Sequence, residues 1–511
     1  MDKAPPFLLL LLVVILFFIL YRIFRHYLGQ KSSKLPPGPH QYPIVGNMFQ
    51  LSGIFHSTLA KLSKTYGPLM SIKVLNRRMI IVSSPKVAKE LLQKHDHLYT
   101  SKLVLDSARA FDYHKFSIIW LPVNGQWHNL RKLCKEQIFS SERLNASQGL
   151  RQEKLQQLCN YVDGCCINGE AVDIGEAAFT TILNILSNTL FSVDFGNYES
   201  NSSRELKEII SGVVDTIAKP NLSDFFPVLR AIDPLGIRRQ TKFYFGKLLQ
   251  KFEEIIRQRL QEREKSLAYL RRNDLLEVLL DLTQQQKSEW GIEEIKHLLL
   301  AQFLLETLQD LFLAAFDTTS STVEWAIAEL LRNPEKMERA RSEIREIIGR
   351  GKLVQESQIF ALPYLQAIIK EVFRLYPPAT TISRYYEADI EIGQYIVPKN
   401  ALVLVNLWAI GRDSSLWSSP DSFVPERFLD SEIDVKGQHF ELLPFGTGRR
   451  MCLGMPLADR FIHLTVASLI HNFDWKTEGG IKPEDVDMSE KLGVTMQKAV
   501  PLKAIPTRTT V

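Results

Sequence analysis

Pro444-Phe445-Gly446-Thr447-Gly448-Arg449-Arg450-Met451-Cys452-Leu453-Gly454 is the stretch on which the reading of this chain turns. It places one cysteine among glycines and arginines, with an aromatic residue seven positions upstream. A cysteine binds metal as the thiolate, and apolar surroundings alone would keep it protonated. A metal and nearby backbone N–H groups must therefore stabilise the anion. Gly448 and Gly454 free the backbone to come close to the sulfur and to a flat ligand. Phe445 would pack over the thiolate and exclude water, and Arg450 would pair with an anionic group of the ligand. The competing reading, a structural cysteine buried in a turn, is the one that suits Cys134, Cys159, Cys165 and Cys166.

Working upstream, residues 311–316 read Leu-Phe-Leu-Ala-Ala-Phe, apolar nearly all round as in a buried helix. Asp317 and Thr318 follow directly. An acid–alcohol pair is costly there unless it has partners. Its hydroxyl can bond back to its own helix, or the pair can handle protons at a reaction centre. Glu371-Val372-Phe373-Arg374 would by itself be an ordinary ion pair on a helix face. Pro425-Glu426-Arg427-Phe428 lies between it and the cysteine. Trp127 and Arg131 are four residues apart and so share a helix face.

In this order the segments resemble those of the cytochromes P-450, and the resemblance covers nearly the whole chain. It implies a mainly α fold with small β-sheets, and a haem b whose iron is held axially by Cys452. Phe445, Gly448, Arg450 and Gly454 would surround the haem, and Trp127, Arg131 and Arg384 would meet its propionates. Glu371, Arg374 and Arg427 would form a buried triad. Thr318 would support bound oxygen and Asp317 would relay protons. Two departures stand out. Ala315 and Phe316 replace the family's usual glycine and small polar residue, adding bulk at the distal pocket. Residues 301–309 intervene where related sequences run on directly, which predicts a bulge or an outward extension of the helix.

Trp325-Ala326-Ile327-Ala328-Glu329-Leu330-Leu331, Trp408-Ala409-Ile410-Gly411-Arg412-Asp413 and Phe473-Asp474-Trp475 resemble plant microsomal enzymes of family 76, which hydroxylate terpenoids. Pro43-Ile44-Val45-Gly46-Asn47-Met48 and Lys132-Leu133-Cys134-Lys135-Glu136-Gln137 are most similar to its ferruginol synthase branch. The implied substrate is a phenolic abietane diterpene such as ferruginol or a hydroxylated derivative. Phe316, Ala379, Thr380, Thr381 and Val494 would touch it. The alternatives are a monoterpenol hydroxylase of the geraniol type and a haem-binding protein without turnover.

The chain has 511 residues, 45% apolar and 23% charged, which is enough to bury a large core. A net charge of +5 with no basic block gives no reason to expect nucleic acid binding. Five cysteines without C-x-x-C spacing argue against a disulfide framework and a zinc site, and fit a reducing compartment. No G-x-G-x-x-G follows a strand, so electrons must come from another protein. The resemblance implies NADPH-cytochrome P-450 reductase as donor, with O2 as co-substrate. Lys132, Lys135, Arg449 and Arg460 could form its docking face.

Residues 7–24 are an apolar run broken only by Arg22, about 27 Å long as a helix and close to the thickness of a bilayer core. Cations follow it, placing the body on the cytosolic side. The expected organisation is a transmembrane anchor over 1–28, a basic, proline-rich hinge over 29–39 and a catalytic domain over 40–511. That arrangement puts the protein in the endoplasmic reticulum membrane as a single-pass protein in contact with lipid. Helical periodicity is clearest over 205–218, 241–264, 274–283, 333–348 and 364–375. Short strands are expected over 69–74, 79–82, 390–392 and 402–406.

Overall fold

The computed structural model describes residues 17, 34–199, 201–265, 270–286, 293–491 and 493–508. Helices dominate, and the helices expected over 205–218, 241–264, 274–283, 333–348 and 364–375 and the four expected strands are present within a few residues. Local chemistry sets several boundaries. Pro334 and Pro363 open their helices at the first turn, where a missing N–H costs nothing. Asn124 caps Gly125–Gln137 by accepting from Trp127 N–H at 2.9 Å.

The longest element is the central helix, Glu293–Arg332, 40 residues in one run. Its backbone is helical through 301–309, so these residues lengthen the helix and form no bulge. It packs most closely on Ile174–Phe191 and crosses Met455–Asn472. Ile174–Phe191 is buried nearly all round, as its even run of apolar and small residues requires. Phe312 and Phe316 of the central helix enter an aromatic cluster with Phe179 and Phe252, at centroid distances of 5.0–5.4 Å.

Beside this helical core lies a five-stranded sheet in the order Leu69–Val74, Arg77–Val82, Leu402–Asn406, Thr381–Tyr386 and Tyr99–Ser101. Only Arg77–Val82 and Leu402–Asn406 pair in parallel. Thr381–Tyr386 is not among the expected strands. Its sequence, Thr-Ile-Ser-Arg-Tyr-Tyr after two prolines, mixes polar residues into both faces. Its neighbours hold it in the sheet, and it carries Thr381 and Arg384 to the site.

The proline-rich stretch is laid against the body from Lys34 onward. Lys34 O accepts from Ile396 N–H at 2.6 Å and Pro37 O from Ser71 N–H at 2.8 Å. Pro36 and Pro39 are buried. The expected anchor, apart from Phe17, lies outside the described residues. Among the described residues no helix is long and apolar enough to cross a membrane.

Candidate active site

The cysteine loop, the central helix and the strand Thr381–Tyr386 enclose a cavity of about 440 Å³. The loop forms its floor. Cys452 N–H donates to Phe445 O at 2.9 Å and closes the loop on itself. Gly448 has φ +67°, a conformation that L side chains rarely adopt, and it faces Asp96, off the cavity wall. Gly454 lines the cavity with an ordinary φ of −78°. A Cβ there would stand 3.9 Å from the cysteine sulfur, so Gly454 is not needed for close approach within the protein itself. Phe445 lines the cavity and packs edge-on against Phe373 at 5.3 Å.

Of the five cysteines, all free, only Cys452 lines the cavity. Its sulfur opens on the cavity yet lies deep within the protein. Burial therefore raises its pKa, against the Gly454 and Met455 backbone N–H groups and Arg131, which lower it. A positive centre above the sulfur would complete the stabilisation of a thiolate.

One wall of the cavity is cationic. Arg131, Arg384 and Arg450 line it, and so does Lys102, which sequence reading did not single out. Arg450 stacks over Trp127 at 4.8 Å and donates to Ile118 O at 3.0 Å. Arg384 lies over Tyr99 at 4.8 Å. The Nε atoms of both arginines are buried without a hydrogen-bond partner among the described residues. Burial, with Arg450 and Arg384 nearby, pushes Lys102 down to about 8. Among the described residues Lys102 makes no ion pair. Donors left over on one wall call for an anion. Trp127 and Arg131 share a helix face as expected, but the indole N–H goes to Ile118 O at 3.1 Å and Arg131 Nη2 to Met451 O at 2.7 Å. A thiol floor beside a wall of cations with donors to spare fits haem b, a flat group whose iron would take the thiolate and whose two carboxylates would meet the cations.

The roof is one stripe of the central helix. Ala314, Thr318 and Thr322 recur at four-residue spacing beside Leu311, Ala315 and Thr319. Thr318 Oγ1 donates to Ala314 O at 2.9 Å, the local helix bond, while its side chain still faces the cavity. Ala315 does add a methyl to the cavity wall. Phe316 does not. It points to the opposite side of the helix, into the aromatic cluster, and is fully buried. The expected narrowing of the pocket by Phe316 and its contact with substrate are therefore corrected. Asp317 lies off the cavity wall, buried, and burial pushes it up to about 6 while Lys207 and Lys491 pull it down.

Of the other expected substrate contacts, Ala379 and Thr381 line the cavity. Thr380 and Val494 do not. Thr380 instead offers its carbonyl to Leu407 N–H at 2.9 Å, and Val494 is half exposed at the tip of the Glu490–Lys498 hairpin. The triad is formed. Glu371 accepts from Arg374 Nε and Nη2, both at 2.7 Å, and from Arg427 Nε at 3.2 Å. Of the expected docking cations, Lys132 pairs with Glu136 at 3.9 Å, Arg449 with Asp96 at 2.6 Å and Arg460 with Glu356 at 3.4 Å.

Asp310 also lines the cavity and was not foreseen. An acid opening the apolar run 311–316 was the available signal. For Lys102, a lone lysine just past a short strand, the sequence offered none.

A sequence model described as Cytochrome P450 matches residues 36–503. Cytochrome P450 76T24 of Catharanthus roseus is 51% identical over 94% of this chain and 94% of its own length. Ferruginol synthase of Salvia miltiorrhiza is 45% identical over 93% of this chain and 95% of its own. Geraniol 8-hydroxylase of Catharanthus roseus is likewise 45% identical, over 95% and 96%. Among solved structures, a zebra fish cytochrome P450 with progesterone superposes with a TM-score of 0.73 at 25% identity, covering 88% of this chain and 99% of that one.

Proposed function

The chain belongs to the cytochrome P450 family, as a haem-thiolate monooxygenase related to plant family 76, and from that premise we propose that it hydroxylates a terpenoid, namely a phenolic abietane diterpene of the ferruginol type. One oxygen atom of O2 enters the substrate and the other leaves as water, with two electrons drawn from NADPH through NADPH-cytochrome P-450 reductase. The observation that carries the reading is the cavity itself. It has a single thiol floor, a cationic wall and a roof of small and apolar residues with Thr318, Thr319 and Thr322 among them.

Bound haem supplies the oxygen-activating chemistry. The chain's own residues do the rest. Cys452 would ligate the iron, its anion held by the Gly454 and Met455 N–H groups and by Arg131. Lys102, Arg384 and Arg450 would hold the two propionates, which would neutralise these buried cations. The triad fastens the Pro363–Leu375 helix to the segment that leads into the cysteine loop. Thr318 lines the cavity with its hydroxyl bonded to Ala314 O, and release of that local bond would free the O–H to donate into the cavity. Asp317, at about 6, can hold and release a proton behind it near neutral pH. Ile118, Ile119, Ile182 and Leu186 give a lipophilic substrate its apolar contact, and Thr381 offers it a hydroxyl partner.

The same proposal places residues 1–28 as a membrane anchor, 29–39 as the hinge and 40–511 as the catalytic domain on the cytosolic side of the endoplasmic reticulum. The exposed Tyr42, Ile44, Met48 and Phe49, directly after the prolines, support a lipid-facing surface there.

The test is a spin-state titration of the purified protein with ferruginol-type diterpenes, with geraniol as control. A saturable low-to-high-spin shift with the diterpene alone is expected. An intact Soret band that does not shift with the diterpene overturns the substrate, and a shift with geraniol alone moves it to the monoterpenols. Cys452→Ala must abolish the thiolate spectrum.

A further inference from the structure

Asp310 is nearly inaccessible to solvent, yet it belongs to no part of the mechanism above. It sits on the central helix just ahead of the roof stripe and lines the cavity. Its Oδ1 accepts from Tyr113 OH and from Ser117 Oγ at 2.7 Å, and its Oδ2 accepts from Ile118 N–H at 2.5 Å. All three donors lie in one short segment outside the helix. The carbonyl of the same residue closes the connection. Ile118 O accepts from Trp127 Nε1 at 3.1 Å and from Arg450 Nη1 at 3.0 Å.

Ile118 N–H lies in the peptide plane shared with Ser117 and Ile118 C=O in the next plane, so the two are joined through a single Cα. Asp310 holds Tyr113, Ser117 and Ile118 N–H together, and this pins the residue whose carbonyl meets Arg450 and Trp127. The order of contact is thus central helix, Asp310, residue Ile118, Arg450 and Trp127. Resting on the haem reading above, we infer that Asp310 is a positioning residue for the cationic wall: by anchoring Ile118 it holds Arg450 and Trp127 where the haem carboxylates are bound. It never touches the haem in this role. The cavity supplies the reason for an acid here. Three donors converge on one point, and only a carboxylate accepts from all of them without offering a proton of its own. Lys102, Arg384 and Arg450 stand on the same side, and the negative charge offsets part of their mutual repulsion.

The experiment uses the full chain loaded with haem and follows haem transfer to excess apomyoglobin. Asp310→Ala leaves the Ile118 N–H and two hydroxyls without their acceptor and is expected to speed haem loss about tenfold or more. In Asp310→Asn the side-chain oxygen still accepts from Ile118 N–H, and haem loss should stay within about threefold of the wild type. This rescue separates positioning from bulk stability, which urea unfolding of the same proteins records. If Asp310→Ala does not fold, Tyr113→Phe combined with Ser117→Ala cuts two of the three bonds and leaves the acid in place. That pair is expected to speed haem loss about threefold. Wild-type haem loss in Asp310→Ala, or in the double variant where it stands in, overturns the inference. So does equal loss in Asp310→Ala and Asp310→Asn. A wild-type protein that takes up no haem would instead sink the haem reading, and the two failures are thereby distinct.

Discussion

Glu371 has no exposed surface and takes bonds from two guanidinium groups and from Val424 N–H at 2.8 Å. Arg374 spends its remaining donors on the carbonyls of Gly411, Pro420 and Ser422. The cluster is complete only while the carboxylate is charged. Glu371→Gln keeps the shape and strands two buried cations, which is expected to cost about 3–5 kcal/mol. Urea unfolding of the haem-loaded protein measures it. A loss below about 1 kcal/mol, the worth of a surface pair, would show that the triad is not a structural lock. Phe316 supports the opposite kind of prediction. Its ring is packed in the aromatic cluster, off the cavity wall, so Phe316→Ala should cost about 3–5 kcal/mol of stability. The dissociation constant for a bound terpenoid, read from the spin-state titration, should stay unchanged. Weakened binding with unchanged stability would return Phe316 to the pocket.

At the scale of elements, the sequence showed most where one residue type has one use. The cysteine loop and the long helices follow from such residues and from periodicity; the triad followed only from the family resemblance, because Glu371-x-x-Arg374 by itself reads as an ordinary ion pair. What stayed hidden depended on direction. Phe316 and Ala315 are neighbours in sequence, yet the rotation of about 100° between successive helix residues sends the phenylalanine to the core and the alanine to the cavity. The strand Thr381–Tyr386 has no alternating pattern and is held by its sheet partners. Lys102 and Asp310 come from segments far apart in sequence, and only the fold places both at one cavity. The helix containing 301–309 yields a prediction of its own. The cavity stripe begins at Asp310, beyond these nine residues. Deleting 301–309 shortens the outer end by about 13 Å and turns residues 293–300 by about half a rotation. The thiolate spectrum and haem content should survive the deletion. Loss of haem would mean that the added turns support the site.

Across the whole molecule, the described part of the central helix carries buried acids at seven-residue intervals, Asp310, Asp317 and Glu324, with Glu329 beyond them also raised by burial. Burial pushes the first two up to about 6 and the third up to about 7. Their unfolded values are about 4. A raised folded value means that the native state binds protons which the unfolded state has released. Each acid therefore contributes stability at low pH that is lost as pH rises from about 4 through its folded value. His114 and His471, lowered by burial, pull the other way, favouring the fold as pH rises. The contribution of one acid is thus best read as a difference between variants. Asp317 takes no charged partner at bonding distance among the described residues; Lys207 and Lys491 act on it only through their fields, against Asp215. Asp317→Asn removes the cost of ionising a buried carboxylate. At pH 7.5 the variant should be more stable than the wild type by about 2–3 kcal/mol, at roughly 1.4 kcal/mol per pH unit of displacement. The advantage should shrink toward zero as pH falls to about 4, where the wild-type acid is protonated in both states. Urea unfolding at several pH values gives the curve. The same variant should turn over more slowly, because the proton held behind Thr318 is gone, with slower product formation at an unchanged haem spectrum. A variant that gains stability without losing rate would place the proton supply elsewhere. One that loses rate without gaining stability would mean that Asp317 is better solvated than its burial implies.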